Sequence, residues 1–287
     1  MALWRDFDRA GLDAELNLRA RTPEHVDYFA RWAAESAETR RGLSALEHVS
    51  YGAAAGETLD LFLPAVKPAP LLIFIHGGYW QSLDKGDFGF LAPAFVARSI
   101  AFASLNYTLA PEASIGQMVE EVRRAIAWLR ANADRYGLDP ARFAISGHSA
   151  GGHLACMTFS GDRSSASGHP PLRFCCSVSG IYQLEPLRHS YQQDVLGLDA
   201  DSAAALSPQA TIPAGPLGPL LLAVGQEEPG EFVVQQSEYF AAWTAAGHDA
   251  RALVMPGRHH FSAVEALSEA GHPLYTAVCD LFIEHAA

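Results

Sequence analysis

A serine hydroxyl becomes a useful nucleophile only when it is exposed, when a base can take its proton, and when donors await the oxyanion. The run Gly147-His148-Ser149-Ala150-Gly151 addresses the first of these needs. It follows the short apolar stretch Phe143-Ala144-Ile145 and leads into a segment of helical composition, Gly152 to Phe159. A Gly-x-Ser-x-Gly turn between strand and helix forces the serine into a strained conformation, and its small neighbours let the backbones approach closely enough to hold it there. The hydroxyl then stands at the head of a helix, where backbone N–H groups favour developing negative charge. Taken alone, the same five residues also read as an ordinary loop.

A second glycine motif changes that balance. Leu71-Leu72-Ile73-Phe74-Ile75 reads as a fully buried strand, and it ends in His76-Gly77-Gly78-Tyr79-Trp80. Glycines just past such a strand let backbone amides face a pocket, as in enzymes whose nucleophile sits on a strand–turn–helix elbow. The oxyanion donors would then be the amides of Gly78, Tyr79 and Ala150. About seventy residues separate the two motifs, the room that one strand–helix–strand–helix passage needs.

The base and its acid should follow in the order serine, acid, histidine. The strand-like run Leu220 to Val224 leads into Gly225-Gln226-Glu227-Glu228-Pro229-Gly230-Glu231, a loop with three carboxylates. The run Ala252 to Met255 leads into Pro256-Gly257-Arg258-His259-His260-Phe261, a loop with two histidines. Phe261 can anchor His260 against the core, whereas His259 stands beside Arg258, so His260 is the favoured base. Pro229 stiffens the turn at Glu228, the favoured acid, with Glu227 its competitor; Glu231 reads as the start of the next helix. His76 and His148 read as loop braces, and His153 as support one turn after Ser149 or as core. Tyr79 and Trp80 are candidates to line an aromatic pocket, with burial under the loop the other reading of Trp80.

The elements that must hold these residues form a regular series. Strand patterns lie near 71–76, 101–105, 143–147, 174–179, 219–224 and 251–255. Helical patterns lie near 87–98, 115–136, 150–159, 231–246 and 271–285. Strict alternation of apolar strands with helices predicts an α/β fold, a mostly parallel sheet covered on both faces. Two alternating segments, Glu47–Tyr51 and Thr58–Phe62, predict antiparallel edge strands with Gly56-Glu57 at the turn, Leu59, Leu61 and Leu63 sharing one face. The first 42 residues read as a helical cap segment, with Thr22 as N-cap, Pro23 at the first helical position and Gly42 as the stop. An interval near 181–217 breaks the rhythm. It is expected to join the N-terminal helices as a lid above the carboxyl edge of the sheet, where ligands bind in such folds.

At 287 residues, with 49% hydrophobic and 18% charged residues, the chain is long enough for one large α/β domain spanning 1–287. A formal charge of −12 without a basic cluster argues against nucleic acid or an anionic membrane as partner. Cys156, Cys175, Cys176 and Cys279 show neither metal-ligand nor redox spacing and read as buried thiols. No apolar run has membrane-spanning length, and the charged start Met-Ala-Leu-Trp-Arg-Asp is unlike a signal peptide, so a cytoplasmic location is expected. The chemistry requires no metal and no other cofactor, only a small-molecule substrate. The C-terminal helix and the lid are each available for a homodimer contact.

Several motifs resemble the kynurenine formamidase (arylformamidase) branch of the α/β-hydrolases. They are His76 to Gln81, Asn106-Tyr107 with Leu109 to Glu112, and Gly147 to His153. The similarity continues through Ser179-Gly180-Ile181-Tyr182, Leu206-Ser207-Pro208, Glu231-Phe232 with Gln236-Ser237, and His260-Phe261, and takes in Asn17 and Arg19. The resemblance implies an α/β-hydrolase fold with Ser149, Glu228 and His260 as triad. Tyr182 joins Tyr79 and Trp80 as a candidate substrate contact. It also implies removal of a formyl group from an aryl amide such as N-formylkynurenine. Gln183, Leu16 and Leu18 depart from the family pattern at positions expected to border the pocket. A carboxylesterase of small acyl esters would use the same machinery, and a non-catalytic ligand-binding protein on this fold would usually show a broken triad.

Overall fold

Uninterrupted apolar strands have no face to offer water and must be covered on both sides. In the computed structural model, which describes residues 2–162 and 171–284, eight strands of the described residues form one sheet. They are β1 (Ala45–Ser50), β2 (Thr58–Phe62), β3 (Ala69–Ile75), β4 (Ala101–Leu105), β5 (Leu138–His148), β6 (Cys175–Val178), β7 (Leu220–Gly225) and β8 (Ala250–Met255). Their order is β1-β2-β4-β3-β5-β6-β7-β8. β1 and β2 pair antiparallel, as does β2 with β4, while every later pairing is parallel. Every residue of β3, β4, β6 and β7 is buried, so both faces of the central sheet are covered.

The N-terminal helices are α1 (Arg9–Leu16), α2 (Leu18–Arg21) and α3 (His25–Gly42). Between strands run α4 (Ala92–Val96), α5 (Ile115–Ala131), α6 (Ala133–Tyr136) and α7 (Ala150–Ser160). The interval after β6 holds three short helices, α8 (Glu185–Arg188), α9 (Gln193–Leu196) and α10 (Ala200–Ala205). α11 (Gly230–Ala245), α12 (His260–Ala263) and α13 (Pro273–Glu284) complete the set.

Local chemistry moved several expected boundaries. Thr22 does not cap α3: its amide bonds to the Leu18 carbonyl and closes α2, and α3 starts at His25. The pattern at 87–98 is broken into two 3-10 turns, Lys85–Asp87 and Gly89–Leu91, before the brief α4. The pattern at 115–136 divides at Asn132 into α5 and α6. The last helix begins at Pro273 rather than 271, and residue 285 lies outside the described residues. On β2 the face opposite Leu59 and Leu61 is not solvated either. Asp60 is buried there because the equally buried ammonium of Lys85 reaches its carboxylate at 2.7 Å.

Candidate active site

Ser149 occupies the turn between β5 and α7 with φ 57° and ψ −121°, the left-handed side of conformational space that a side chain normally avoids. The flanking glycines explain how it stays there. A Cβ on Gly147 would lie 2.2 Å from the Gly151 carbonyl oxygen, and one on Gly151 would lie 2.0 Å from that of Ile75. Any larger residue would push the elbow off the sheet. Ala150 is the first residue of α7, so its amide belongs to the helical turn that has no intrahelical acceptor.

The loop after β3 is wound in the same unusual sense, with φ values of 104°, 50° and 58° at Gly78, Tyr79 and Trp80. This winding separates the two aromatic rings. Tyr79 faces a cavity of about 310 Å³ that also contains Ser149 and His260. Its hydroxyl donates to the Leu16 carbonyl at 2.8 Å, and burial lifts its phenol well above the ordinary value. Trp80 turns inward, wholly buried and edge-on to His153 at 5.0 Å. Trp80 is therefore a core residue beneath the loop and does not line the cavity.

Tyr182 is displaced from its expected place for a similar reason. Its ring stacks on Tyr239 at 4.6 Å, its hydroxyl donates to Ser177 at 3.0 Å, and it is wholly buried away from the cavity. Gln183 also lies elsewhere, bonded to Gln209 and Glu238. Leu18 borders the cavity, whereas Leu16 contributes its carbonyl, which accepts from the hydroxyls of Tyr79 and Tyr191.

The geometry separates the competing acids and histidines. Glu228 is buried, and its Oε2 accepts from Nδ1 of His260 at 2.6 Å. Its Oε1 accepts from the Gly225 amide at 2.8 Å and the Ser179 hydroxyl at 2.5 Å. Glu227 is exposed. Glu231 is engaged elsewhere, accepting from Trp4, Arg5 and Gln235, each at 2.9 Å. His259 is the N-cap of α12: its Nδ1 accepts from the Phe261 and Ser262 amides, and its Nε2 bonds the Tyr28 hydroxyl at 3.1 Å. Of these two neighbours it is His260 that lines the cavity, as does His148, with Phe261 packed edge-on to Phe29.

Two other histidines brace the backbone. Burial, reinforced by the neighbouring His260, holds His148 well below the ordinary imidazole range. The neutral ring then donates from Nε2 to the His260 carbonyl at 2.9 Å. His76, lowered by burial, bonds the Gly77 carbonyl through Nδ1 at 2.8 Å and stacks on Tyr107.

The remaining wall comes from both irregular segments. Asn17, Leu18, Arg19, Phe29 and Trp32 contribute from the N-terminal helices, and Tyr191 and Gln192 from the interval after β6. The segments are joined by the Tyr191 amide, which donates to Asp13 at 2.6 Å, and the interval is tied to the loop after β3 by Gln81, which donates to Gln192 at 2.7 Å. Sequence reasoning passed over Ser179, Tyr191 and Gln192 as site residues. Only Ser179 carried a usable signal, because parallel neighbours β6 and β7 bring their carboxyl ends side by side. Among the described residues no cluster of three or more His, Cys, Asp or Glu is placed to hold a metal ion.

A family profile described as BD-FAE matches residues 59–167. A kynurenine formamidase of Salmo salar is 30% identical over 287 residues, covering 96% of each chain. The chain belongs to the kynurenine formamidase family. A second member, from Danio rerio, is 33% identical over 235 residues, covering 80% of this chain and 79% of its own. Among solved structures, a protein from Silicibacter sp. TM1040 provisionally assigned as a thioesterase superposes with a TM-score of 0.80. It is 29% identical and covers 92% of this chain and 97% of its own. Esterase B of Lactobacillus rhamnosis shares the fold at a TM-score of 0.73 and 19% identity, covering 96% of this chain and 97% of its own. This family member is thus an α/β-hydrolase enzyme that acts on a small molecule. Among its described residues no helix is long and apolar enough to cross a membrane.

Proposed function

We propose that the chain is a serine hydrolase that removes a formyl or similarly small acyl group from an aryl amide such as N-formylkynurenine. The observation that carries this reading is the buried His260–Glu228 pair opening on the same cavity as the strained Ser149. Nδ1–H of His260 donates to Glu228, which leaves Nε2 unprotonated and able to take the Ser149 proton. The serine oxygen attacks the formyl carbon, and the carbonyl oxygen becomes an oxyanion held by the amides of Gly78, Tyr79 and Ala150. One such donor is worth about 3 kcal/mol at the transition state. The C–N bond then breaks as His260 returns the proton to the leaving aryl amine. Water, deprotonated by the same imidazole, attacks the formyl-enzyme and releases formate and free serine. No step calls on a metal or organic cofactor.

The aromatic wall of Phe29, Trp32, Tyr79, Tyr191 and Phe261 suits an aryl leaving group, and Arg19 supplies a cation for a carboxylate on it. The segment 1–42 and the interval near 181–217 act as the lid over this wall. The alternative reading, an esterase of small acyl groups, draws on Esterase LipC of Mycobacterium tuberculosis, 36% identical over 114 residues, or 38% of this chain. Turnover of N-formylkynurenine, p-nitrophenyl acetate and p-nitrophenyl butyrate, with Ser149→Ala as blank, separates the two. Serine-dependent deformylation faster than ester cleavage supports the formamidase; fast ester cleavage without deformylation moves the protein to the esterases. Activity retained by Ser149→Ala would sink both.

A further inference from the structure

The side chain that meets Glu228 and that the triad chemistry leaves unused is Ser179. It stands one residue beyond β6 with φ 52°, a conformation that costs free energy in any residue except glycine. Glycine would fit there without strain, and Gly180 follows directly. What serine adds is its hydroxyl, which donates to Oε1 of Glu228 at 2.5 Å from a position only 1% exposed. The Gly225 amide meets the same oxygen at 2.8 Å. Together they leave Oε2 to Nδ1 of His260 at 2.6 Å.

We infer that Ser179 is a positioning residue that holds the Glu228 carboxylate in the orientation His260 requires. Glutamate carries one more rotatable bond than aspartate, so a single backbone donor leaves its carboxylate free to turn about the contact. The second, charge-assisted hydrogen bond removes that freedom. Other ionisable groups surround the pair without gripping it. The neutral His148 ring lies 4.7 Å from that of His260, and the Tyr79 phenol is lifted partly by the charge of Glu228. His259 is engaged with Tyr28, and Glu227 is exposed. The inference rests on the serine-hydrolase reading above.

The test uses the full chain with N-formylkynurenine and p-nitrophenyl acetate as probes. Ser179→Ala and Ser179→Gly both lose the hydroxyl, but only the glycine variant relieves the backbone. Both should lower kcat by about tenfold to a hundredfold, the range for a hydrogen bond to a charged group, with KM little changed. Thermal midpoints should diverge, glycine the more stable, so the shared loss of turnover cannot come from stability. The acid limb of the pH profile of kcat/KM should move in both variants. In a Glu228→Gln background Ser179→Ala should add less than about twofold, because the group it positions is gone. The inference stands only if all of these hold. A kcat loss under about threefold, an unmoved acid limb, or an equal loss repeated in the Glu228→Gln background overturns it. Ser149→Ala, assayed alongside, tests the underlying reading separately: activity there refutes the serine mechanism whatever the Ser179 variants do.

Discussion

Replacing Glu228 by glutamine removes a charge while keeping the shape, and the structure shows why the result should be severe. The carboxylate is met by three donors: the Ser179 hydroxyl, the Gly225 amide and Nδ1 of His260. A glutamine side chain offers one acceptor oxygen and an NH2 group. If the oxygen turns to His260, the Gly225 amide is left buried without an acceptor, at a cost of about 1–3 kcal/mol. The favoured arrangement therefore keeps the oxygen on Gly225 and points the NH2 at His260. Nδ1 must then present its lone pair, the proton moves to Nε2, and the imidazole can no longer accept one from Ser149. In serine-protease triads the wrong tautomer lowers kcat about 10⁴-fold, equivalent to roughly 5.5 kcal/mol of barrier. The assay is kcat on N-formylkynurenine and p-nitrophenyl acetate at constant pH, with thermal unfolding as a control for the fold. Glu227→Gln is the companion variant and should leave kcat unchanged, since Glu227 is exposed. A Glu228→Gln enzyme that folds and retains kcat within about tenfold of the parent would refute the tautomer argument.

Three further outcomes are expected. His260→Ala should abolish measurable turnover, whereas His259→Ala should mainly remove a helix cap and cost about 1 kcal/mol of stability in urea unfolding; the reverse ranking would exchange their roles. Arg19→Gln should raise KM for N-formylkynurenine about tenfold without changing kcat and leave the neutral substrate formanilide unaffected, because Arg19 faces the cavity; equal effects on both would remove it from carboxylate recognition. Burial lowers His153 from 6.5 to about 4 in the folded protein. Between these values the unfolded chain binds a proton that the native state refuses, so stability should fall as pH drops through that window, by roughly 3 kcal/mol in total for this one group. Urea midpoints from pH 7 to pH 4.5 measure the slope, which should flatten in His153→Gln; an unchanged slope would assign the acid sensitivity elsewhere.

The parts of the site that were legible in the sequence are those where backbone geometry dictates residue type. The elbow tolerates only small residues at Gly147 and Gly151 because carbonyl oxygens lie within about 2.2 Å of where a Cβ would sit. The strands were legible because β3 and β7 are buried on both faces and so are uninterrupted in their apolar character. Phe261 favours His260 over His259 at the level of sequence, but that His259 caps α12 depends on where the helix starts and is not legible there. Side-chain direction in the loops was not legible. Trp80 follows Tyr79 directly, both at positive φ, yet one ring faces the cavity and the other is buried in the core. Tyr182 sits in a motif that carries the family resemblance, yet that motif serves the packing against Tyr239. Asp60 escaped the alternating pattern on β2 because its partner, Lys85, lies 25 residues away in a 3-10 turn. Such pairings are properties of the assembled sheet and leave no local trace.

The wall contributed by the N-terminal helices has a consequence for how the chain comes into being. Phe29 packs on Phe261, and the Trp32 indole donates to Glu265, 233 residues further along. A ribosome adding about 5–20 residues per second needs on the order of 10–50 s to cover that distance. Trp32 meets Phe88 and Phe90 early in that interval, but the Phe29 ring and the Trp32 indole N–H wait through all of it for Phe261 and Glu265. One wall of the pocket is thus started by the helix at 25–42 and finished only when Phe261 and Glu265, more than two hundred residues later, arrive to close its aromatic face.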